Sequence, residues 1–292
     1  MKTLLVILAH PDDESFGPGG TLAKYVRAGV AVHYVCGTRG ESGTVDATLL
    51  NGHADVAALR MSELACAAQA LGLASVEYLG YRDSGMPGSA DNNAENALFA
   101  APLDDVAQRI IAHIDRLRPD VILTHDQFGG YGHPDHVKLH QATLRAYQLR
   151  FGVSIDLDRW IGDVRQPVVS VTPAGSLPDV PSLYFAVIPK GIVRFGVRVM
   201  PLLRQDPRKF GRNGDIDLVK IASWEVPVTT IVDTKDFVAV KTTASACHAS
   251  QRPPGQQPSW FVRFLFQRGN KREHFSRVYP PPAPGERTHE LA

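Results

Sequence analysis

Two copies of the tripeptide His-Pro-Asp constrain the fold of this chain more than any other feature, because each follows a short apolar run. His10-Pro11-Asp12 directly follows the run at 3–9, and His133-Pro134-Asp135 follows the run at 121–124 after a short loop that contains glycine. Such runs predict buried strands, and open α/β sheets bind ligands at the carboxyl ends of their strands. The sequence therefore predicts that both tripeptides meet at one edge of a parallel sheet.

The segments around these tripeptides alternate between strand-like and helix-like patterns. Apolar and β-branched runs predict strands, and longer segments that end at a glycine predict helices. This alternation predicts an α/β fold with a mostly parallel sheet and flanking helices. The predicted strands are Thr3–Ala9, Val30–Cys36, Val76–Leu79 and Val121–Thr124, and the predicted helices are Thr21–Ala28, Ala57–Leu71, Leu103–Leu117 and Val137–Arg150.

The second half of the chain has a weaker pattern. Residues 1–279 are predicted to form a single domain, in which about 152–224 is a variable cap or insertion. Residues 280–292 combine proline, glycine and charged side chains, which predicts a loosely held tail. The second-half elements that the pattern indicates are strand-like pieces at Leu183–Ile188 and Val228–Val232 and a late helix at Asp236–His248.

Composition excludes several classes of protein. The 292 residues are 44% hydrophobic, which is ample for a sizeable core. With 31 basic against 30 acidic side chains, the chain lacks the charge of a nucleic-acid-binding protein. No apolar run approaches the roughly 18 residues of a membrane span. These features predict a soluble, cytoplasmic protein that binds neither nucleic acid nor membranes.

The cysteines support the same expectation about location. Cys36, Cys66 and Cys247 are odd in number, widely spaced and without a CxxC pair. Disulfides are rare in reducing compartments, so free thiols are expected here. Cys36 and Cys66 are predicted to be small core residues.

The side chains of the two clusters are of the types that bind divalent metals. Two imidazoles and one carboxylate suit Zn(II), and Fe(II) or Mn(II) are chemically compatible. Of the adjacent Asp12 and Asp13, one can bind the metal while its neighbour accepts a proton from water. In the second cluster, alternation lets His136 reach the metal while a charged His133 stabilises an oxyanion, and Asp135 is a candidate to orient a histidine.

Other polar features have simpler interpretations. Gly17-Pro18-Gly19-Gly20 lacks the spacing of a dinucleotide-binding loop, and it predicts a tight turn that delivers a helix beside the metal site. One His-Pro-Asp copy alone would indicate a turn with an aspartate cap, whereas two copies at strand ends favour a site. The remaining histidines are interpreted as structural, with His125 and His248 as the exceptions to be tested.

Two longer motifs, Ala9-His10-Pro11-Asp12-Asp13-Glu14 and Tyr131-Gly132-His133-Pro134-Asp135-His136-Val137, resemble those of the LmbE-like or PIG-L superfamily of metal-dependent N-deacetylases. The resemblance spans most of residues 1–150 and returns near 225–251, but no motif matches within about 152–224. Further similarity covers Arg39-Gly40-Glu41, Arg60 to Glu63 with Leu71-Gly72, Asp83-Ser84-Gly85-Met86 and Cys247-His248-Ala249-Ser250-Gln251.

The resemblance implies a Rossmann-like sheet with the metal at the carboxyl ends of its strands. It also implies homo-oligomers, although the sequence itself leaves the oligomeric state open. The implied roles are metal ligation by His10, Asp13 and His136, base catalysis by Asp12, stabilisation of the tetrahedral intermediate by His133, which Asp135 holds, and substrate contacts from Arg60, Asp83 and Tyr131.

The leading hypothesis is a zinc-dependent amidohydrolase that removes the N-acetyl group from an N-acetylglucosamine-type conjugate. A thiol precursor of the mycothiol or bacillithiol pathway is one candidate among such small substrates. Two alternatives remain: a metallophosphoesterase with two metals, and a non-enzymatic sugar-binding protein with a structural metal. Three ligands beside a free carboxylate predict an open site, which favours the hydrolase.

Overall fold

The computed structural model describes residues 1–50, 52–156, 160–161, 164–165, 168–171, 180–211, 213–251 and 271–292. Within this part of the chain, a seven-stranded sheet carries helices on both faces. The predicted α/β fold with a mostly parallel sheet is confirmed. No helix among these residues is both long and apolar enough to cross a bilayer.

The strands follow from the apolar runs of the sequence, with small shifts at their ends. Two short antiparallel pairs, β5 with β8 and β6 with β7, lie outside the main sheet. The described strands are β1 (Thr3–Leu8), β2 (Ala31–Cys36), β3 (Ser75–Tyr78), β4 (Val121–His125), β5 (Val153–Asp156), β6 (Trp160–Ile161), β7 (Val164–Arg165), β8 (Val168–Val171), β9 (Ser182–Val187), β10 (Thr230–Asp233) and β11 (Arg272–Tyr279).

The order of strands across the main sheet is β10-β11-β9-β4-β1-β2-β3. All neighbours from β9 to β3 pair in parallel, and β11 runs antiparallel to both β9 and β10. The chain moves outward from β1 to β3 and then returns to place β4 on the other side of β1. This reversal is a topological switch point, where open α/β sheets bind their ligands.

Helices cover both faces of the sheet because the inner strands are apolar on both sides. Along β1, Leu4, Val6 and Leu8 join the core under α2, α3 and α9, while Leu5 and Ile7 join the core under α4 and α6. The described helices are α1 (Asp13–Phe16), α2 (Gly19–Arg27), α3 (Val56–Leu71), α4 (Leu103–Leu117), α5 (Gly129–Gly132), α6 (Pro134–Phe151), α7 (Lys190–Val199), α8 (Leu218–Ser223) and α9 (Val238–Cys247).

The glycine-rich segment at 17–20 forms the turn that leads into α2. The backbone N–H groups of Gly20 and Thr21 donate to the Glu273 carboxylate at 2.9 and 2.7 Å. Lys241 pairs with the same carboxylate at 2.7 Å, and both charged side chains are buried. The start of α2 is therefore capped by the chain's own carboxylate, which agrees with the turn interpretation and disfavours a dinucleotide phosphate there.

The second half of the chain differs from its predicted organisation. The cap expected at about 152–224 contains β9, which pairs with β4 inside the main sheet. Leu183 and Phe185 of β9 are fully buried, so the strand belongs to the core and not to a separate lobe. The sequence did not predict β11, because Arg272, Glu273 and Arg277 obscure its pattern while Phe275 and Val278 are buried.

The terminal segment at 280–292 is docked on the domain, which differs from the expected loose tail. The Leu291 backbone N–H donates to the Tyr25 hydroxyl at 2.6 Å, and the Leu291 side chain is buried in the core. Thr288 exchanges backbone hydrogen bonds with Thr229 and Ile231 beside β10. One buried apolar side chain and a few backbone hydrogen bonds thus attach this segment to the domain, although its composition suggests disorder.

Cys66 and Cys247 form a disulfide, so the expectation of free thiols at these two positions was wrong. The two cysteines are 181 residues apart in sequence, and the packing of α3 against α9 brings their Cα atoms within 5.8 Å. Cys36 is free and buried, as predicted, whereas Cys66 is exposed and is not the core residue that was expected. Sequence spacing carries no signal for so distant a pair, and the disulfide removes the cysteine-based argument for a reducing compartment.

Candidate metal centre

The loops that follow β1 and β4 lie side by side at the switch point and bring the two His-Pro-Asp clusters together. The ring of His10 lies 4.4 Å from that of His133 and 5.0 Å from that of His136, measured between centroids. All three rings are buried. The clusters therefore meet at the edge of the sheet, as their positions after strands predict.

Three side chains present ligand atoms at the spacing of a metal site. His10 Nδ1 lies 3.0 Å from His136 Nε2 and 3.7 Å from Asp13 Oδ2, and His136 Nε2 lies 3.4 Å from the same oxygen. Tetrahedral bonds of about 2.0–2.2 Å separate neighbouring ligand atoms by about 3.3–3.6 Å. Two imidazoles and one carboxylate at these distances fit a single divalent cation.

The other ring nitrogens of both histidines have acceptors, as metal-binding histidines require. His10 Nε2 lies 3.3 Å from Asp135 Oδ2 and 3.5 Å from Asp83 Oδ1, and the ring of His136 bonds to the Gly129 backbone. Burial opposes a charge on His10, but the Asp83 and Asp135 carboxylates raise its pKa well above the usual value. Because these carboxylates hold the Nε2 proton, Nδ1 of His10 faces the other ligand atoms.

His125 lies beside this set, but its Nε2 is already engaged. That nitrogen accepts the backbone N–H of Ala9 at 3.1 Å, and the ring stacks on His136 with centroids 3.8 Å apart. Burial and the neighbouring His136 lower the pKa of His125 well below its usual value. His125 is thus a neutral ring that stacks against His136. The sequence marks His125 only as a histidine to be tested, because it lies close to the second cluster.

Asp12 directs its carboxylate into the same pocket from a strained backbone. Its φ of 140° lies in the left-handed region that favours glycine. Asp12 Oδ2 accepts a hydrogen bond from Arg60 at 3.0 Å, while the neighbouring Asp13 carboxylate faces the histidines. Burial raises the pKa of Asp12 to about 7, although Arg60 opposes this rise. A carboxylate with this pKa suits a proton acceptor near neutral pH.

His133 is held by the start of α6. The backbone N–H of Asp135 donates to His133 Nδ1 at 3.2 Å, so a neutral ring carries its proton on Nε2. Burial and the nearby His10 lower the pKa of His133 to about 4, which differs from the charged ring expected from the sequence. The Asp135 carboxylate accepts the Ser84 N–H at 2.9 Å and contacts His10, so it orients His10 and not the His133 ring.

Arg60 and Asp83, which the resemblance implies as sugar contacts, are buried and bonded within the chain. Arg60 donates to the carbonyl oxygen of Pro11 at 2.7 Å as well as to Asp12. Burial is the largest single influence on Asp83 and raises its pKa, but the combined opposing effects of His10, the Gly85 N–H and His133 leave that pKa lowered. In this geometry Arg60 orients the Asp12 carboxylate and Asp83 contacts the His10 ring. A direct contact of either side chain with a sugar stays a prediction.

Tyr131, the third implied substrate contact, lies beside the ligand rings. Its ring centroid is 5.0 Å from that of His136 and 6.0 Å from that of His133, in edge-on geometry. Gly132 follows with a φ of 93°, and a Cβ there would lie 3.1 Å from the Trp224 ring. Sequence reasoning missed Trp224, because it belongs to the segment in which no motif was matched.

The residues that the structure describes offer one pocket for a cation. The potential ligands fall into three adjacent groupings, and the first shares histidines with each of the other two. These groupings are His10 with His133 and His136, His10 with Asp83, His133 and Asp135, and Asp13 with His125 and His136.

Comparison with known proteins identifies relatives of this chain. A sequence model of the PIG-L family, described as GlcNAc-PI de-N-acetylase, matches residues 5–147. The 1D-myo-inositol 2-acetamido-2-deoxy-alpha-D-glucopyranoside deacetylase of Acidothermus cellulolyticus is 35% identical over 260 residues, which cover 86% of this chain and 80% of that protein.

Two solved structures share the fold at low sequence identity. The N,N'-diacetylchitobiose deacetylase of Pyrococcus horikoshii has a TM-score of 0.58 and 22% identity, over 94% of this chain and 83% of that chain. GalB, the 4-carboxy-2-hydroxymuconate hydratase of Pseudomonas putida, has a TM-score of 0.56 and 22% identity over 100% of both chains. A deacetylase and a hydratase on one fold mean that the reaction must be argued from the site. The identity and coverage of the Acidothermus relative, together with the family match, show that this chain belongs to the PIG-L family.

Proposed function

We propose that this protein is a metal-dependent N-deacetylase that removes the acetyl group from an N-acetylglucosamine-type conjugate. The observation that carries the proposal is the Asp12 carboxylate beside a set of three ligands from His10, Asp13 and His136. Three protein ligands leave a position for water or substrate, which distinguishes a hydrolytic site from a closed structural one. Membership of the PIG-L family and the deacetylase relatives support the same reaction.

Zn(II) is the cation that we propose, and Fe(II) is compatible with the same ligands. A cation held there would supply Lewis acidity, which polarises the amide carbonyl and lowers the pKa of the attacking water. Asp12 accepts the proton of this water as the water attacks the carbonyl carbon. Arg60 holds the Asp12 carboxylate in place through its hydrogen bond at 3.0 Å.

His133 stabilises the negative charge that develops on the carbonyl oxygen. Its Nε2–H is the donor, because Nδ1 accepts the Asp135 backbone N–H. A donor that is already oriented needs no reorganisation as the charge develops. Asp12 then returns its proton to the amine nitrogen as the C–N bond breaks, and acetate and a free amino sugar leave.

The proposed substrate is a conjugate of N-acetylglucosamine with inositol. The Acidothermus relative is named for its action on 1D-myo-inositol 2-acetamido-2-deoxy-alpha-D-glucopyranoside. Transfer of this substrate to the present chain rests on their 35% identity over 86% of the chain. It is a small thiol precursor, of the kind that the sequence resemblance includes.

Amine release from a panel of N-acetylglucosamine conjugates tests the proposal. The inositol conjugate should yield equal amounts of acetate and free amine, a chelator should abolish the reaction, and added Zn(II) should restore it. N-acetylglucosamine itself, which lacks the inositol, is the matched control and should react more slowly. Absence of amine from every conjugate, despite bound metal, would count against deacetylation.

Metal stoichiometry separates the two alternatives from this proposal. A deacetylase with one set of ligands should bind about one metal per chain, whereas a two-metal phosphoesterase should bind about two and release phosphate from aryl phosphates. A sugar-binding protein with a structural metal should bind the conjugate without turnover. Either of these two results would contradict the deacetylase proposal and favour the corresponding alternative.

The location and assembly of the protein remain predictions. A cytoplasmic location belongs to the proposal because the substrate is a small biosynthetic precursor, but the Cys66–Cys247 disulfide lends it no support. Homo-oligomer formation rests on the family resemblance. Light scattering on the purified protein would determine the assembly.

A further inference from the structure

The strained backbone of Asp12 needs support from its surroundings. A φ of 140° with a ψ of −26° is unfavourable for a residue that carries a Cβ, and such conformations persist where neighbouring groups hold them. The conformation matters for the site because it turns two consecutive carboxylates, those of Asp12 and Asp13, toward one pocket.

Glu14 provides part of that support. Its Oε2 accepts the backbone N–H of Asp12 at 3.0 Å, which satisfies the donor that the turn leaves outside α1. The carbonyl oxygen of Asp12 accepts the N–H groups of Ser15 and Phe16. The Glu14 side chain is completely buried, so it needs polar partners of its own.

His248 is the partner that reaches Glu14 from the far end of the chain. Its Nε2 lies 2.7 Å from Glu14 Oε1, and the side chains of both residues are 0% exposed. Ser15 Oγ donates to the same carboxylate oxygen at 2.6 Å. His248 Nδ1 has no hydrogen-bond partner among the described residues, so Glu14 is the polar contact that explains the burial of this ring.

The end of α9 is fastened to the helix that holds the Asp12 side chain. Cys247, directly before His248, is bonded to Cys66 of α3. Glu63, also in α3, accepts the backbone N–H of Ser250 at 2.7 Å. Since α3 carries Arg60 as well, one helix fixes both the carboxylate of Asp12 and the anchor of its backbone.

We propose that His248 and Glu14 form a positioning pair that keeps the Asp12 backbone in its left-handed conformation and its carboxylate directed into the pocket. The proposal rests on the proposed function for its kinetic readout and on the Asp12 backbone for its structural one. Neither residue of the pair contacts the ligand atoms in this geometry, and both act through the Asp12 backbone.

Three replacements of His248 test the hydrogen bond itself. Gln places an amide N–H where His248 has Nε2, so His248→Gln keeps a donor to Glu14. Asn places its amide near the position of Nδ1, so His248→Asn fills similar space without reaching Glu14, and His248→Ala removes both. Thr243→Ala, on the exposed side of α9, is a control for general effects on this helix.

The pair predicts a specific order of activities. His248→Ala and His248→Asn should lower kcat by about 10²-fold, the cost of a small misplacement at a reacting group, with KM and metal content close to those of the unmodified protein. His248→Gln should recover most of this loss, and Thr243→Ala should lose nothing. Equal activity in all His248 variants, an equal loss with Gln and with Asn, or loss of metal in every variant would overturn the proposal.

Crystal structures of His248→Ala and His248→Gln provide a readout that does not depend on catalysis. The Asp12 φ should leave the positive region in the Ala variant and stay there in the Gln variant. A positive φ in both would refute the pair even if kcat had fallen. If the unmodified protein released no amine from any conjugate, the proposed function would fail while the crystal structures still decided this inference.

Discussion

The two His-Pro-Asp clusters contain the same three residue types, but the backbone conformation that follows the histidine differs between them. After His10 the chain enters a strained turn at Asp12, and the helix that follows, α1, is only 4 residues long. After His133, whose φ of −66° and ψ of 130° are ordinary for a helix cap, Pro134 begins an 18-residue helix. The first cluster therefore spreads its side chains around the pocket, while the second aligns them on one helical turn.

Equivalent residues of the two clusters consequently have different surroundings. His10 Nδ1 faces the other ligand atoms, whereas His133 Nδ1 accepts a backbone N–H. The Asp12 side chain keeps 17% exposure at the pocket, and that of Asp135 has 0%. The comparison shows that the backbone conformation after each tripeptide, and not the tripeptide itself, determines the orientation, hydrogen bonding and exposure of its side chains.

The largest expected effect separates the two histidines of the second cluster. His136→Ala removes a proposed ligand and should abolish both metal binding and activity. His133→Ala should keep the metal and lower kcat by roughly 10²–10³-fold, the cost of one oxyanion donor. Elemental analysis and acetate release measure both effects. Similar metal contents in the two variants would remove the distinction between them.

The next effect compares the two aspartates that follow proline. Asp12→Asn should retain the metal and lower kcat by roughly 10²–10⁴-fold, because the proton acceptor is lost. Asp135→Asn should weaken the hold on His10 and reduce metal affinity by roughly 10–100-fold. Zn(II) titration and kinetics at saturating metal separate the two. A loss of metal affinity in the Asp12 variant with unchanged kcat would reverse these assignments.

A smaller effect concerns pH and the first cluster. The positive charge of Arg60 lowers the pKa of Asp12, so Arg60→Ala should raise that pKa. The proposed base acts in its deprotonated form. The acid limb of the plot of kcat/KM against pH, where activity rises as the base loses its proton, should therefore move to higher pH. Arg60→Lys keeps the charge and should move the limb less. A limb that stays in place or moves to lower pH would contradict the ion pair with Asp12.

The smallest effect on activity is expected at the disulfide that fastens α9 behind the first cluster. Replacing both Cys66 and Cys247 by Ala should lower the free energy of unfolding by about 2–4 kcal/mol, with kcat little changed because the Glu14–His248 contact remains. Thermal unfolding measures the change, and Cys36→Ala is the control for loss of a buried sulfur. Unchanged stability would mean that packing alone holds α3 to α9.

Much of the first half could be predicted because its signals are local. The helix at Leu103–Leu117 has the predicted ends, since proline and an amphipathic pattern bound it. The interior position of β9 in the sheet and the existence of β11 could not be predicted. Most of β9 is buried, so the strand shows little alternation, and β11 carries charges that pair with distant groups such as Lys241.

In the site, as in the fold, some features could be predicted from local sequence and others depend on the folded chain. Residue types and strand ends were enough to predict a metal site. The family resemblance was needed to name its three candidate ligands, because the residues alone left open which of Asp12 and Asp13 binds the metal. The strain at Asp12, the neutral state of His133 and the placement of Asp135 against His10 depend on burial and on neighbours distant in sequence. The Glu14–His248 contact joins residues 234 positions apart, and no local pattern specifies it.

By itself, the sequence determined that two ligand clusters follow strands of a parallel sheet and that their side chains suit one divalent cation. Only the tertiary structure decided which nitrogen of each histidine faces the pocket, how the Asp12 carboxylate is placed beside the ligand atoms, and which groups keep it there. The physical reason is that ligand type is a property of single residues, whereas orientation, protonation and strain come from groups that meet only when the chain is folded.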